Sequence, residues 1–306
     1  MEILTGTADF HLSEETAVAI GKFDGVHIGH RRLLEEIIKQ KEQGRKACVF
    51  TFDPPPSVFF GNPREKLLST KEEKRELFAK LGTDILVEFP LREDTAAIEP
   101  ERFVKELLYK GLHAGFVAAG SDLSFGAGGR GNAALLRAMA ADCGMEVRII
   151  EKVLWEGREI SSSLVREAVE KGDMIKAETL LGMPYTISGS VRHGNRIGHS
   201  LGMPTLNLRP SADKLLPPNG VYFSGVRLKG KRYAAISNIG IRPTVEETEK
   251  YPGVESYLYG YEGEAYGEEI QVELYAFRRS ERKFTDLDAL KRQLWEDMEA
   301  GASFTR

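Results

Sequence analysis

The chain of 306 residues has few means of covalent cross-linking. Its two cysteines, Cys48 and Cys143, lie far apart and form no CxxC pair. That excludes a disulfide framework and a zinc knuckle, and leaves both thiols as small hydrophobes for a core. No run of 18 apolar residues occurs, so no segment is expected to span a membrane. Met1 to Phe10 lacks a basic flank followed by an apolar stretch, so no secretory leader and a cytoplasmic location are expected. Excess charge is also missing: 42 Lys and Arg stand against 46 Asp and Glu, a net charge of −4. Without a basic stripe interleaved with aromatics, no nucleic-acid partner is expected. What is present is a globular composition, 42% hydrophobic and 29% charged, with length for two domains. One count is high: 31 glycines, about 10% against a typical ~7%.

The first half alternates short β-branched runs with helical patterns. The runs are Ala17–Ile20, Ala47–Phe52, Ile85–Phe89, Phe116–Ala119 and Val147–Ile150. Between them fall a stripe of Leu33, Leu34, Ile37 and Ile38, a capping box read at Ser69 to Glu72, a helix from Pro100 to Gly111, and another over 133–143 behind Asn132. This alternation predicts an α/β, Rossmann-like parallel sheet, with ligands beyond the carboxyl ends of its strands. Near residue 183 the pattern changes. Strand candidates Tyr185–Val191, Val221–Leu228, Tyr233–Ser237, Glu255–Tyr261 and Ile270–Phe277 follow at close spacing, which predicts a small antiparallel barrel. A terminal helix is expected behind Thr285, with Leu287, Leu290, Leu294, Trp295 and Met298 as its apolar stripe. The expected domains are 1–182 and 183–306.

Two segments carry chemistry. Gly21 to His30 directly follows the first strand and opens the first helix. Glycines there let backbone approach a phosphate, and a helix start offers unpaired N–H groups. His27 and His30, three apart, can donate to phosphoryl oxygens as charge develops. The alternative is a tight turn with two surface histidines. No third His or Cys has metal-like spacing to them, and no Gly-Lys-Ser/Thr ending makes a Walker loop. Ser161, Ser162, Ser163 and Arg166 also suit ATP phosphates, or form a plain cap cluster with a solvated arginine. The second segment holds Gly194, Gly198 and Gly202, then Pro204, Thr205 and Asn207. On an extended stretch Thr205 and Asn207 face one way, and their oxygens suit Mg²⁺ beside phosphate. Spacing alone favours a mobile surface loop before a buried strand.

The stretch Gly-Lys-Phe-Asp-Gly-Val-His-Ile-Gly-His, with Thr51–Pro54, Gly120–Gly126 and Ile160–Arg166, resembles the bacterial bifunctional riboflavin kinase/FAD synthetase family. The second half is similar to flavokinases at Gly202–Asn207, Leu215–Tyr222, Ser237–Thr244, Val254–Leu258 and Phe277–Phe284. The resemblance covers essentially the whole chain. It implies phosphorylation of riboflavin by ATP to FMN in the barrel, with Mg²⁺, then adenylylation of FMN by ATP to FAD with release of pyrophosphate in the first domain. It also implies site residues. Gly21, Phe23, Asp24, Gly25, Gly29, Ser161, Ser162, Ser163 and Arg166 would hold ATP phosphates around His27 and His30. Asp53, Asp122 and Phe125 would face the flavin. In the kinase, Gly194, Gly198, Gly202, Pro204, Thr205 and Asn207 would bind ATP, Thr205 and Asn207 with the metal. Glu255 would be the base for the ribityl hydroxyl, and Arg279 a flavin contact. The chain departs from the family pattern at Pro55, Leu123, Ser124, Asn132, Ser163, Met203, Leu206 and Ser280. Rival readings are a kinase with an impaired first domain, a flavin-binding regulator, and nucleotide transfer to a phospho-alcohol or phosphopantetheine. Small-molecule substrates are the expected partners, and a monomer or weak homo-oligomer the expected state.

Overall fold

The computed structural model describes residues 1–193, 203–242 and 251–304. The chain divides into two compact units, Met1–Ser162 and Ser163–Arg306.

The first unit is built on strands β1 (Glu2–Thr5), β2 (Thr16–Ile20), β3 (Lys46–Asp53), β4 (Ile85–Pro90), β5 (Ala114–Gly120) and β8 (Glu146–Ile150). They form one sheet in the order β1-β4-β3-β2-β5-β8, and every neighbouring pair is parallel. Alternate residues feed two cores. Ala17, Ala19, Ala47 and Val49 face one, with Leu33, Leu34 and Ile37 of α1 (Ile28–Lys39). Val18, Ile20, Cys48 and Phe50 face the other, with Phe103 and Leu136. Both faces are covered, which is why the strands read as continuous apolar runs. The remaining elements are α2 (Pro56–Phe59), α3 (Lys71–Lys80), α4 (Glu93–Ala96), α5 (Pro100–Arg102, continued by a π-helix Phe103–Gly111), β6 (Ser124–Phe125), β7 (Gly131–Asn132), α6 (Ala133–Asp142), β9 (Leu154–Trp155) and β10 (Arg158–Glu159). The capping box of α3 closes one residue later than expected, between Thr70 and Glu73. Thr70, not Ser69, has the extended backbone of a cap.

The sheet order locates the switch point. From β2 the chain moves out through β3 and β4, then returns to place β5 on the other side of β2. The loop after β2 therefore lies where the crossover direction reverses, the usual ligand crevice of such sheets.

The second unit carries α7 (Ser162–Glu170, from Ser163 onward), α8 (Met174–Leu181) and strands β11 (Tyr185–Arg192), β12 (Leu206–Leu208), β13 (Gly220–Leu228), β14 (Lys231–Arg242), β15 (Tyr251–Leu258) and β16 (Glu269–Ser280). The strands close into a barrel in the order β11-β12-β15-β14-β13-β16, all antiparallel. Ser224, Ser237 and Ser256 are buried and share hydroxyl hydrogen bonds of 2.8 and 2.7 Å across three strands. The terminal helix α9 (Leu287–Ala302) is capped by Asp286, whose carboxylate accepts from the Ala289 N–H; Thr285 bonds to that carboxylate instead. The buried positions of α9 are Gln293, Asp297 and Gly301, while Leu287 and Trp295 of the expected stripe are exposed. Charge pairing overrides the apolar stripe here: Asp297 accepts from both Arg278 and Arg279 of β16.

Candidate active sites

The turn after β2 is fixed from several directions. Phe23 takes a positive φ of 50° and sends its ring fully into the core, edge-on to Phe78 at 5.5 Å. The Asp24 carboxylate accepts from the Leu68 N–H at 2.8 Å and the Ser69 N–H at 3.4 Å. Ser162 donates its hydroxyl to the Asp24 carbonyl at 2.8 Å. Gly25 has φ +73°, and a Cβ there would come within 2.7 Å of Leu68. Phe23, Asp24 and Gly25 thus shape the turn, and its backbone is the part left at the crevice.

His27 is the N-cap of α1. Its Nδ1 accepts from the His30 backbone N–H at 3.4 Å, and the two imidazoles stack at 3.8 Å with 19° between their planes. A Cβ on Gly29 would lie 3.1 Å from the His27 ring, so glycine keeps room for the stack. Burial holds the His27 pKa down to about 4, against an opposing pull from Asp122. Burial and the His27 neighbour hold His30 well below 6.5. Both rings are neutral at pH 7. Because Nδ1 of His27 accepts, its proton sits on Nε2, which is then a donor. Nδ1 of His30 is buried without a hydrogen-bond partner, an orphan at the start of a helix.

Asp53, at the end of β3, pairs with Lys71 at 2.5 Å, and Lys71 also reaches Glu88 at 3.2 Å. Asp122, after β5, is exposed and lies 3.5 Å from Lys152. Phe125 is buried against Phe103, with ring centroids 5.3 Å apart, so it supports the edge from within. Ser161 and Ser162 are half-buried; Ser163 and Arg166 fall on α7 in the second unit. Cavities of about 640 Å³, walled by residues after β1 and β4, and about 400 Å³, walled by residues after β5 and β8, flank β2 in sheet order. Both lie in the size range of ligand sites. Lys74 escaped the sequence reading. It is buried on the same face of α3 as Phe78, four residues on, and burial lowers its pKa against the pull of Asp24, Glu88 and Asp53. A lysine at the apolar spacing of a helix was the readable sign.

In the barrel, register gathers the second set of residues. Arg192 pairs with Asn207, Asn207 with Glu255, Glu255 with Asn238, and Asn238 with Val221. Directly paired residues project to the same side of a sheet, so this is one row across five strands. Ser256 points into the core, and alternation turns Glu255 outward, where it is half-buried. Thr205 stands two residues before Asn207, and the Asn207 amide nitrogen lies 3.4 Å from the Thr205 carbonyl. Pro204 is exposed. Gly194, Gly198 and Gly202 lie outside the described residues. Arg279 is taken up by Asp297, with 3.0 Å and 2.5 Å contacts to one carboxylate oxygen, and by the Ser280 carbonyl. It anchors α9. Arg192, Asn238 and Val221 are the members of the row to which sequence reading gave no role. Among the described residues no group of three or more His, Cys, Asp or Glu could hold a metal by itself.

The FAD synthetase family model matches residues 9–164 and the riboflavin kinase model residues 181–305. A "Bifunctional riboflavin kinase/FMN adenylyltransferase" of Listeria monocytogenes is 36% identical over 305 residues, 97% of this chain and 95% of that protein. The Escherichia coli K12 protein of the same name is 35% identical, covering 93% of this chain and 91% of its own length. This chain belongs to the bifunctional riboflavin kinase/FMN adenylyltransferase family. A crystal structure from Streptococcus pneumoniae, named as a macrolide-efflux protein, superimposes with a TM-score of 0.87 at 26% identity, over 99% of both chains. That name points to transport. Among the described residues of this chain, no helix is long and apolar enough to cross a membrane.

Proposed function

We propose that the protein makes flavin cofactors in two steps, phosphorylating riboflavin with ATP to FMN and then adenylylating FMN with a second ATP to FAD and pyrophosphate. The observation that carries this is the coexistence of a neutral stacked His27–His30 pair at a switch-point helix start with a Glu255–Asn207 row on a barrel. We take the functional division at 182/183, with the kinase after it.

The kinase needs a base, because a ribityl hydroxyl attacks poorly while it keeps its proton. Glu255, on a rigid strand, takes that role as phosphoryl transfer proceeds. Mg²⁺ fits this set as a shared ion: the Thr205 hydroxyl and Asn207 amide supply hard oxygens, and the remaining ligands come from phosphate and water. Bound there, it would neutralise charge developing on the transferred phosphate. The flanking Gly194–Gly202 segment would carry the ATP phosphates.

The adenylyltransferase needs no base. The FMN phosphate is an ionised nucleophile, and attack on the α-phosphorus of ATP adds charge to phosphoryl oxygens. His27 donates through Nε2–H, the α1 N-terminus adds its N–H groups, and Ser161 and Ser162 join them around the phosphates. Asp53 and Asp122, after β3 and β5 on either side of β2, would face the flavin. Soluble cytoplasmic operation on small molecules completes this reading.

The test is incubation with riboflavin, ATP and Mg²⁺, resolving FMN from FAD over time. FMN should rise first and FAD follow, with pyrophosphate released in step with FAD. FMN that accumulates without FAD would leave a kinase with an idle first domain.

A further inference from the structure

We propose that Lys74 is a further binding residue of the adenylyltransferase site, its ammonium taking a phosphate oxygen of one of the two substrates. This rests on the reading of the His27 turn as that site.

Lys71, Lys74, Arg75 and Phe78 recur at i, i+3, i+4 and i+7, so they share one side of α3. Phe78 packs that side on Phe23 of the turn. Three carboxylates pull on Lys74: Asp24 in the turn after β2, Glu88 near the end of β4 and Asp53 at the end of β3. Its ammonium therefore lies at the carboxyl ends of these strands, beside the switch point. Each of the three is engaged elsewhere. Asp24 accepts from the Leu68 and Ser69 N–H groups, and Asp53 from Lys71. Glu88 takes Lys71 at 3.2 Å and two Arg75 nitrogens at 2.8 and 2.6 Å. Lys74 is only 8% exposed, yet among the described residues its ammonium forms no hydrogen bond and no ion pair. Nor is the nitrogen sealed in, as the orphaned Nδ1 of His30 and Nε of Arg31 are.

A buried ammonium without a bonded acceptor is costly, and such a group calls for a ligand that completes its surroundings. The substrates bring what it lacks. Phosphate oxygens are strong acceptors for a cation, and lysine meets them as a point charge on a flexible stem. The other side chains of this unit assigned to the phosphates, His27, His30, Ser161 and Ser162, are neutral. They donate hydrogen bonds but offer no charge. Lys71 and Arg75 are occupied by carboxylates, so Lys74 is the cation of its helix side left for an anion.

The experiment uses the full chain and follows pyrophosphate release from FMN and ATP, taking KM for each substrate, with riboflavin phosphorylation as the control for folding. Lys74→Met should raise one KM about 10- to 100-fold and leave phosphorylation intact. A rise in KM for ATP assigns the oxygen to the triphosphate, and a rise in KM for FMN assigns it to the nucleophile. Lys74→Arg should recover part of the loss, since it keeps the charge but not the shape. Lys80→Gln removes the same charge from the exposed end of α3, where Lys80 pairs with Glu76, and should change neither KM. Parental KM values in Lys74→Met, a fall in kcat alone, or an equal rise in KM for Lys80→Gln would overturn the role of Lys74, provided that His27→Ala with His30→Ala is inactive in adenylylation. Adenylylation surviving in that double variant would instead overturn the site assignment beneath it. Should Lys74→Met fail to fold, amine acetylation of the parent chain, read by mass spectrometry, decides. Saturating ATP or FMN should protect Lys74, and equal labelling with and without both would overturn the proposal.

Discussion

The two halves solve opposite problems of charge with opposite means. In the first, His27 and His30 are stacked, buried and neutral at a turn locked by Phe23, Asp24 and Gly25. In the second, Glu255 is an acidic group in a row of amides, placed by a barrel ladder. On the proposed reading the difference follows the nucleophile. A phosphate arrives ionised and needs donors for the charge it brings. A hydroxyl arrives protonated and needs an acceptor.

The largest expected effects break the comparison site by site. Glu255→Gln should reduce FMN formation about 10³-fold while FAD formation from supplied FMN stays within twofold. His27→Ala with His30→Ala should do the reverse, lowering pyrophosphate release from FMN and ATP by about 10²- to 10³-fold. Coupled assays on each variant check both, and a folded variant that loses both activities would undo the two-site division. Next in size, Asp297→Ala should cost about 3 kcal/mol, since two arginines lose a buried carboxylate; thermal unfolding should show it as a lowered barrel transition. An effect of comparable size depends on pH. His27 has a folded pKa of about 4 against an unfolded value near 6.5. The unfolded chain thus binds the extra proton first, and stability present above pH 6.5 falls as the pH drops toward 4, by up to ~3 kcal/mol. Unfolding midpoints between pH 7 and 4 should fall less steeply for His27→Gln than for the parent chain.

These contrasts also mark where sequence reading reached and where it stopped. The inner strands of the sheet were legible because burial on both faces leaves unbroken apolar runs, as in Ala47–Phe52 within β3. The edge strand β1 was not: it is four residues long and mostly exposed. The His27 turn was legible because glycine and histidine at a strand–helix junction have a local chemical meaning. Its use of Asp24 as a tether was hidden, since Leu68 is 44 residues away. The polar buried face of α9 was hidden for the same reason, as Asp297 is matched to arginines 18 and 19 residues back. Asn238 took its place opposite Glu255 only through strand register.

The closed barrel has a consequence for how this kinase can vary. Every strand is paired on both sides, so the row from Arg192 to Val221 is a belt around a ring. A one-residue insertion inside β15 would turn Glu255 inward and bring Ser256 out, and no free edge exists to absorb the slip. Length changes are therefore confined to the connections between strands. Substrate preference can drift there, in loops of any length, while the belt keeps the same count of residues.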